Sequence, residues 1–316
     1  MKMLSARRIQ ELSTDPARCT RPFRMSQIDL SRPFIHEDFT PLYHTPLYTR
    51  LSDEQRLRYN QLSGMKVNEQ FMLLERDFAD RILAKLHRHP ALATRPDIIA
   101  CLSTMRKEEQ CHHDMFRDLN QACLPEIYAH TDRYFSKLGR LEKLSIRLAT
   151  SLYQHLTCFL WFLMAVEEYS VGLSRAMMRS SQTETLGMLE PNFQRVHAEH
   201  VKDEIRHVHL EAQLVEACFA SRGKISRCVN AYLFDVLMNY FATPQPAGCV
   251  ISHLATEYPE LDPLKGELTA SVLSLKHDKA FKRTLFNRFL MPHTFALLDT
   301  QPELQFLSRR AQESRS

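Results

Sequence analysis

One twelve-residue stretch, Val196 to His207, limits the folds open to this chain. Read as a helix, it carries His200, Glu204 and His207 at i, i+4 and i+7. Those offsets stack on one face, because residues three and four apart are neighbours on a helix surface. Two imidazoles and a carboxylate pointing one way suit iron, zinc or manganese. An earlier segment repeats the Glu-x-x-His pattern at Glu109 and His112. Glu108 and His113 flank that pair, but the residue three before His113 is Gln110, so Glu109 and His112 form the pairing.

Two Glu-x-x-His units, completed by one Glu from each of two other helices, make the di-iron carboxylate site of ferritin-like four-helix bundles. Glu75 and Glu167 are the candidates for the missing carboxylates. Glu75 lies beside Phe71, Leu74, Phe78 and Ile82, on the flank of an apolar helical stripe. Glu167 follows the apolar run Leu160 to Val166 and continues the Leu160, Leu163, Met164 stripe towards Ser170 and Val171. A carboxylate at the end of a helix that is apolar all round needs a partner. Glu168 is the open alternative to Glu167. Glu75 to Glu109 is 34 residues and Glu167 to Glu204 is 37. Half of the first interval is a rise of about 25 Å less the loop's share, an ordinary arm of a helical hairpin. Each half of the chain therefore delivers a Glu and a Glu-x-x-His to one level. The 54 residues from His113 to Val166 suffice for a crossover between the halves.

The composition points the same way. Only 7 of 316 residues are Gly, which favours long helices over turn-rich sheets. The 41 basic and 37 acidic residues nearly balance, and no basic stripe with interleaved aromatics suggests nucleic acid. None of the 8 cysteines forms a C-x-x-C pair, which reads as reduced thiols in a cytoplasmic protein. Met1 to Gln10 lacks an apolar secretory core, and the run Cys158 to Val166 is far short of the ~20 residues that span a bilayer. No membrane association is expected.

In chain order, residues 1–50 read as an irregular segment, because Pro16, Pro22, Pro33, Pro41 and Pro46 recur too often for a long helix. Its aromatics, Phe23, Phe34, Phe39, Tyr43 and Tyr48, are expected to pack on the bundle. Residues 51–300 form the helical domain. Ser52 and Gln55 make a capping box that opens a helix with a break at Gly64, resumed from Val67 to about Leu86. Pro96 starts the helix holding Glu109 and His112. Glu142 to Arg179 reads as one long helix, Asn192 to Ala220 as the next, and Ser226 to Phe241 as another. Pro244, Pro246, Pro259 and Pro263 mark a loop region, before helices over Leu264 to Leu275 and Asp278 to Leu298, the second kinked at Pro292. Residues 301–316 read as a polar tail. The fold expected is all-α, a ferritin-like four-helix bundle with additional helices.

These residues carry a resemblance. Over about residues 52 to 245 the chain resembles the ferritin-like di-iron oxygenases, and most closely the p-aminobenzoate N-oxygenase family, which adds a His four residues before the last Glu, as His200 stands before Glu204. The run Asp203 to His207 also looks like the D-E-x-R-H motif of bacterial multicomponent monooxygenases, where the Asp supports a ligating His. The resemblance implies two Fe ions, cycling between Fe2+ and Fe3+, with O2 as co-substrate. It implies Glu109 and Glu204 as bridges, Glu75 and Glu167 as terminal carboxylates, His112 and His207 as one imidazole per iron, and His200 as an additional nitrogen. Asp203 and Glu108 would orient imidazole N–H groups; His197 and His209 match nothing in the motif. The reaction implied is oxidation of an amine nitrogen to hydroxylamine, nitroso or nitro. The amine would be free or attached to a carrier protein, with Arg283 and Arg288 as weighed anchors for an acid group. An external electron donor and a homodimeric assembly are also expected. Two other classes share such ligands: a C–H hydroxylase, desaturase or aldehyde-processing enzyme of the same fold, and a ferroxidase or iron-binding protein.

Overall fold

The structure is a computed structural model that describes residues 3–21, 25, 27–219, 222–244 and 248–307. It is all-α, a ferritin-like bundle with added helices, and no strand occurs among the described residues. The first arm is α1 (Ala6–Ser13), α2 (Asp53–Leu73), a π-helical turn (Leu74–Ala79) and α3 (Asp80–Leu86). It folds back on α4 (Pro96–Cys123). The crossover holds α5 (Pro125–Tyr128) and α6 (Arg140–Ser151), and leads to the second hairpin, α7 (Cys158–Arg179) and α8 (Pro191–Phe219). The α7–α8 pairing is the most extensive in the molecule, and α4 packs on α8 to join the two hairpins. Then come α9 (Lys224–Phe241), α10 (Gly248–Glu257), α11 (Lys265–Ser274), α12 (Lys279–Leu285) and α13 (Pro292–Thr300).

Local chemistry explains the main boundaries. Ser52 accepts the Gln55 N–H at 3.2 Å while Gln55 accepts the Ser52 N–H at 3.0 Å, the reciprocal cap expected, worth about 1 kcal/mol. Pro96 occupies the first turn of α4, where a missing N–H costs nothing. Trp161, fully buried on α7, meets Phe219 of α8 at 4.6 Å and Phe234 of α9 at 5.7 Å, which fastens α9 over the second hairpin.

Several boundaries depart from the expectations. The N-terminal segment contains α1, capped by Ser5. From residue 27 on it runs through three short 3-10 turns, Glu37–Phe39, Pro41–His44 and Pro46–Arg50, and packs on the bundle. Phe34 is buried and stacks on Phe193 at 4.6 Å, and Asn60 takes the Phe34 N–H and gives its amide to the Ile35 carbonyl. Phe23 lies outside the described residues. Gly64 does not break α2. A Cβ there would stand 3.0 Å from Phe34 Cβ and 3.1 Å from Phe193 Cζ, so the glycine permits a close crossing. The irregularity falls instead at the π-helical turn, ten residues on. The long helix expected over Glu142 to Arg179 is two, separated at residues 152–157. The proline-marked loop region holds α10 between its prolines. Pro292 does not kink a helix but opens one, α13, after an interruption at residues 286–291. The expected polar tail begins as a packed turn, with Leu304 and Leu307 buried; residues 308–316 lie outside the described residues. Among the described residues no helix is long and apolar enough to cross a membrane.

Candidate metal centre

The four arms of the bundle bring all seven predicted residues into its interior. Glu75, Glu109, His112, Glu167, His200, Glu204 and His207 are each no more than 2% exposed. Glu75 sits within the π-helical turn, Glu109 and His112 on α4, Glu167 on α7, and the other three on α8. A π-helical turn widens the helix by one residue and re-aims its side chains, a device common at functional sites.

Two overlapping quartets form, Glu75, His112, His200 and Glu204 on one side, and Glu109, His112, Glu204 and His207 on the other. Glu204 lies in both. Its Oε1 is 2.9 Å from His200 Nε2 and 3.0 Å from His112 Nδ1, while its Oε2 is 3.3 Å from His207 Nδ1. Glu109 divides in the same way, with Oε1 3.2 Å from His207 Nδ1 and Oε2 3.9 Å from His112 Nδ1. Glu75 Oε1 approaches His200 Nε2 at 3.3 Å. Glu167 stands outside the two quartets but next to Glu204, and its Oε1 has no hydrogen-bond partner.

The Glu167 and Glu168 alternatives separate cleanly. Both Glu168 oxygens are taken by the start of α13, from His293 N–H at 2.6 Å and Thr294 N–H at 2.7 Å, with His293 Nδ1 also at 2.6 Å. Glu168 thus fastens α13 to α7, and Glu167 is the one that meets the cluster.

A ring of charge lies behind the imidazoles. His112 Nε2 meets Asp203 Oδ2 at 3.0 Å, and His207 Nε2 meets Glu108 Oε2 at 2.9 Å. Ionised carboxylates only accept, so each Nε2 carries a hydrogen, and each Nδ1 is the atom that would offer its lone pair to a metal. Arg206 ties the two supports together, donating to Glu108 Oε1 and Asp203 Oδ1 at 2.6 Å each and to the carbonyl of Arg18. Thr20 adds its N–H to Asp203 Oδ1 at 3.0 Å, so the N-terminal segment closes this side of the site. Arg206 and Thr20 carry no role in the sequence reading, although Arg206 is the Arg of the D-E-x-R-H run. His197 is buried with Nε2 3.1 Å from Asn68 Oδ1, and burial holds its pKa down to about 3. His209 is buried against the His293 ring at 4.7 Å. Arg288 is paired with Asp299 at 2.7 and 2.8 Å, on the surface and away from the cluster.

The electrostatics describe a site short of positive charge. Burial pushes Glu75 up to about 7. Burial, with the charges of Glu204 and Glu109, pushes Glu167 well above the usual carboxylate range. Burial also works against ionised Glu204, yet the neighbouring His200 and His207 bring it well below that range. His112 and His207 resist burial through their carboxylate partners and rise well above the ordinary imidazole value. Glu75 Oε2 and Glu167 Oε1 have no hydrogen-bond partner, and the Glu109 oxygens, His112 Nδ1 and Glu204 Oε1 meet only one another and the other imidazoles of the cluster. Buried polar atoms left so are rare and call for an ion or water. Oxygen and imidazole donors converging in this way fit divalent first-row metals, which would displace the protons these groups otherwise hold, and four carboxylates match the charge of two such ions.

A protein-family model described as P-aminobenzoate N-oxygenase AurF matches residues 13–307. The chain belongs to that family. The match extends beyond the span over which the sequence motifs carry the likeness, taking in much of the N-terminal segment and α10 to α13. No curated protein matches the chain. The AurF family is one of di-iron enzymes, and the buried His and Glu cluster of this member offers a place for metal.

Proposed function

We propose that this member is a di-iron oxygenase that oxidises an amine nitrogen, on a small compound or on one carried by a carrier protein. The observation that carries the metal part is the division of Glu109 and Glu204, each with one oxygen towards His207 and the other towards His112. Carboxylates so divided would hold two ions side by side. Glu75, His112 and His200 would hold one, and Glu167 and His207 the other. Two irons so held would supply the activation of O2 and the oxidation of a nitrogen lone pair, and an external donor would supply electrons. Family membership supports the choice of nitrogen over carbon.

The chain's own residues set the conditions. Asp203 and Glu108 fix the two imidazoles at Nε2, and Arg206 fixes both carboxylates. Phe71 stacks on the His200 ring at 5.7 Å and Phe116 meets its edge at 4.9 Å, which prevents rotation. On the Glu75 side, Phe78 packs against Phe159 at 5.7 Å and Phe162 at 5.9 Å. With Leu163, buried one turn before Glu167, they would keep water from the reacting centre. A homodimer and a cytoplasmic setting complete the reading.

The test is product mass. Purified, iron-loaded protein with a reductant is offered amines, arylamines and carrier-bound amino compounds under O2. A product one or two oxygen atoms heavier at nitrogen is expected. Turnover of a hydrocarbon or aldehyde, with every amine returned unchanged, would move the chain to the C–H or aldehyde-processing class. Iron uptake and oxidation with no organic product would make it a ferroxidase.

A further inference from the structure

One buried acid beside the cluster belongs to neither Glu-x-x-His unit. Glu211 lies one turn beyond His207 on α8, so His200, Glu204, His207 and Glu211 continue a single stripe at i, i+4, i+7 and i+11. It is 0% exposed, and neither carboxyl oxygen has a hydrogen-bond partner. Glu168, whose charge it also feels, cannot serve it, because both Glu168 oxygens are committed to the start of α13. Like Glu167 it stands outside the two quartets, one turn along the stripe from His207, and burial, opposed by the nearby His207, disfavours its ionised form together with the charges of Glu109 and Glu204. A buried carboxyl with two orphaned oxygens is costly in any fold, and an apolar residue would fill the same space without that cost.

We propose that Glu211 is a fifth metal-directed carboxylate, serving the ion on the Glu109 and His207 side. This rests on the two-metal reading above. The supporting geometry is its register on the ligand stripe, its complete burial and its two unpartnered oxygens. Glu211 gives that ion a carboxylate beyond the motif set, which makes the two metal positions unequal in affinity.

Anaerobic titration with Mn2+ or Fe2+ tests it in the unmodified protein, in Glu211→Gln and in Glu211→Met. The Gln variant keeps the size and polarity of a neutral acid, so a purely structural acid tolerates it. The unmodified protein should take two equivalents. In both variants one equivalent should weaken by about 10- to 100-fold and the other hold. The Mössbauer spectrum of the iron-loaded Gln variant should change at one iron, and the metal-free variants should unfold no more easily than the parent. Two unchanged affinities, or equal weakening of both, would overturn the role of Glu211. A parent that fails to bind two equivalents would instead overturn the two-metal reading.

Discussion

Arg206→Met removes the one cation that ties the supports of both imidazoles together. Arg206 and Asp203 are each 2% exposed, and Glu108 is 15% exposed at the side chain. The substitution keeps length and apolar volume but deletes the two hydrogen bonds to carboxylates, at 2.6 Å each, along with those to the Arg18 and Lys202 carbonyls. Such bonds contribute about 1.5–3 kcal/mol each, and stranding a buried charge costs about 3–5 kcal/mol. Glu108 recovers some solvation, and Asp203 keeps Thr20 N–H and His112, so a loss of about 3 kcal/mol is expected. Urea unfolding of the metal-free protein at neutral pH, followed by far-UV circular dichroism, measures it. In a background of Glu108→Gln with Asp203→Asn the same change should cost no more than about 1 kcal/mol, because no carboxylate is then stranded and removing a buried cation that has lost its carboxylate partners offsets the bonds it made. Metal affinity should fall about 10- to 100-fold, since both imidazoles lose fixed supports. A loss below about 1 kcal/mol in the parent, or equal losses in both backgrounds, would refute the electrostatic account.

The remaining expectations concern other joints of the fold. Glu168→Gln should weaken the hold on α13 and cost about 1–2 kcal/mol with metal stoichiometry intact, whereas Glu167→Gln should weaken one metal equivalent; the reverse pattern on metal titration would exchange the two residues. Gly64→Ala should destabilise by about 1 kcal/mol in chemical denaturation, because overpacking against Phe34 and Phe193 outweighs the gain in helix propensity, and a more stable variant would contradict the close crossing. Burial opposes the charge of Glu257, but the paired hydrogen bonds from Arg58 bring its pKa down to about 2. A depressed carboxylate stabilises above its unfolded value near 4.5 and loses that stability as pH falls towards 2, so Glu257→Gln should cost about 1 kcal/mol at neutral pH after allowance for solvent screening, and the difference should shrink below about pH 4.5. A pH-independent difference in unfolding free energy between the two proteins would count against the pair.

The helices around the cluster were legible in sequence because their signals are local. The capping box at Ser52, the proline at the start of α4 and the three- and four-residue spacing of His200, Glu204 and His207 each act within one or two turns. The order Glu, Glu-x-x-His, Glu, Glu-x-x-His adds the long-range part, since hairpin arms of similar length place those residues at one level. Glu211 was visible on the same stripe and Arg206 in the D-E-x-R-H run, but their meaning depends on distant neighbours. Arg206 reaches Glu108, 98 residues away, and Glu211 is notable only because nothing reaches it.

Other features belong to packing alone. Glu167 and Glu168 are adjacent and equally acidic, and only the approach of α13, 125 residues on, takes one and leaves the other. Proline frequency cannot say whether Pro292 bends a helix or begins one, because a ring that removes an N–H is harmless in a first turn and disruptive in the middle. The π-helical turn at Glu75 has no local signature either. A wider turn sacrifices regular hydrogen bonding, and that sacrifice is returned only by what Glu75 meets across the bundle. The sequence by itself determined which residues would face inward and in what order. The tertiary structure decided which of them meet one another, because a buried charge takes its partner from whichever helix packs against it.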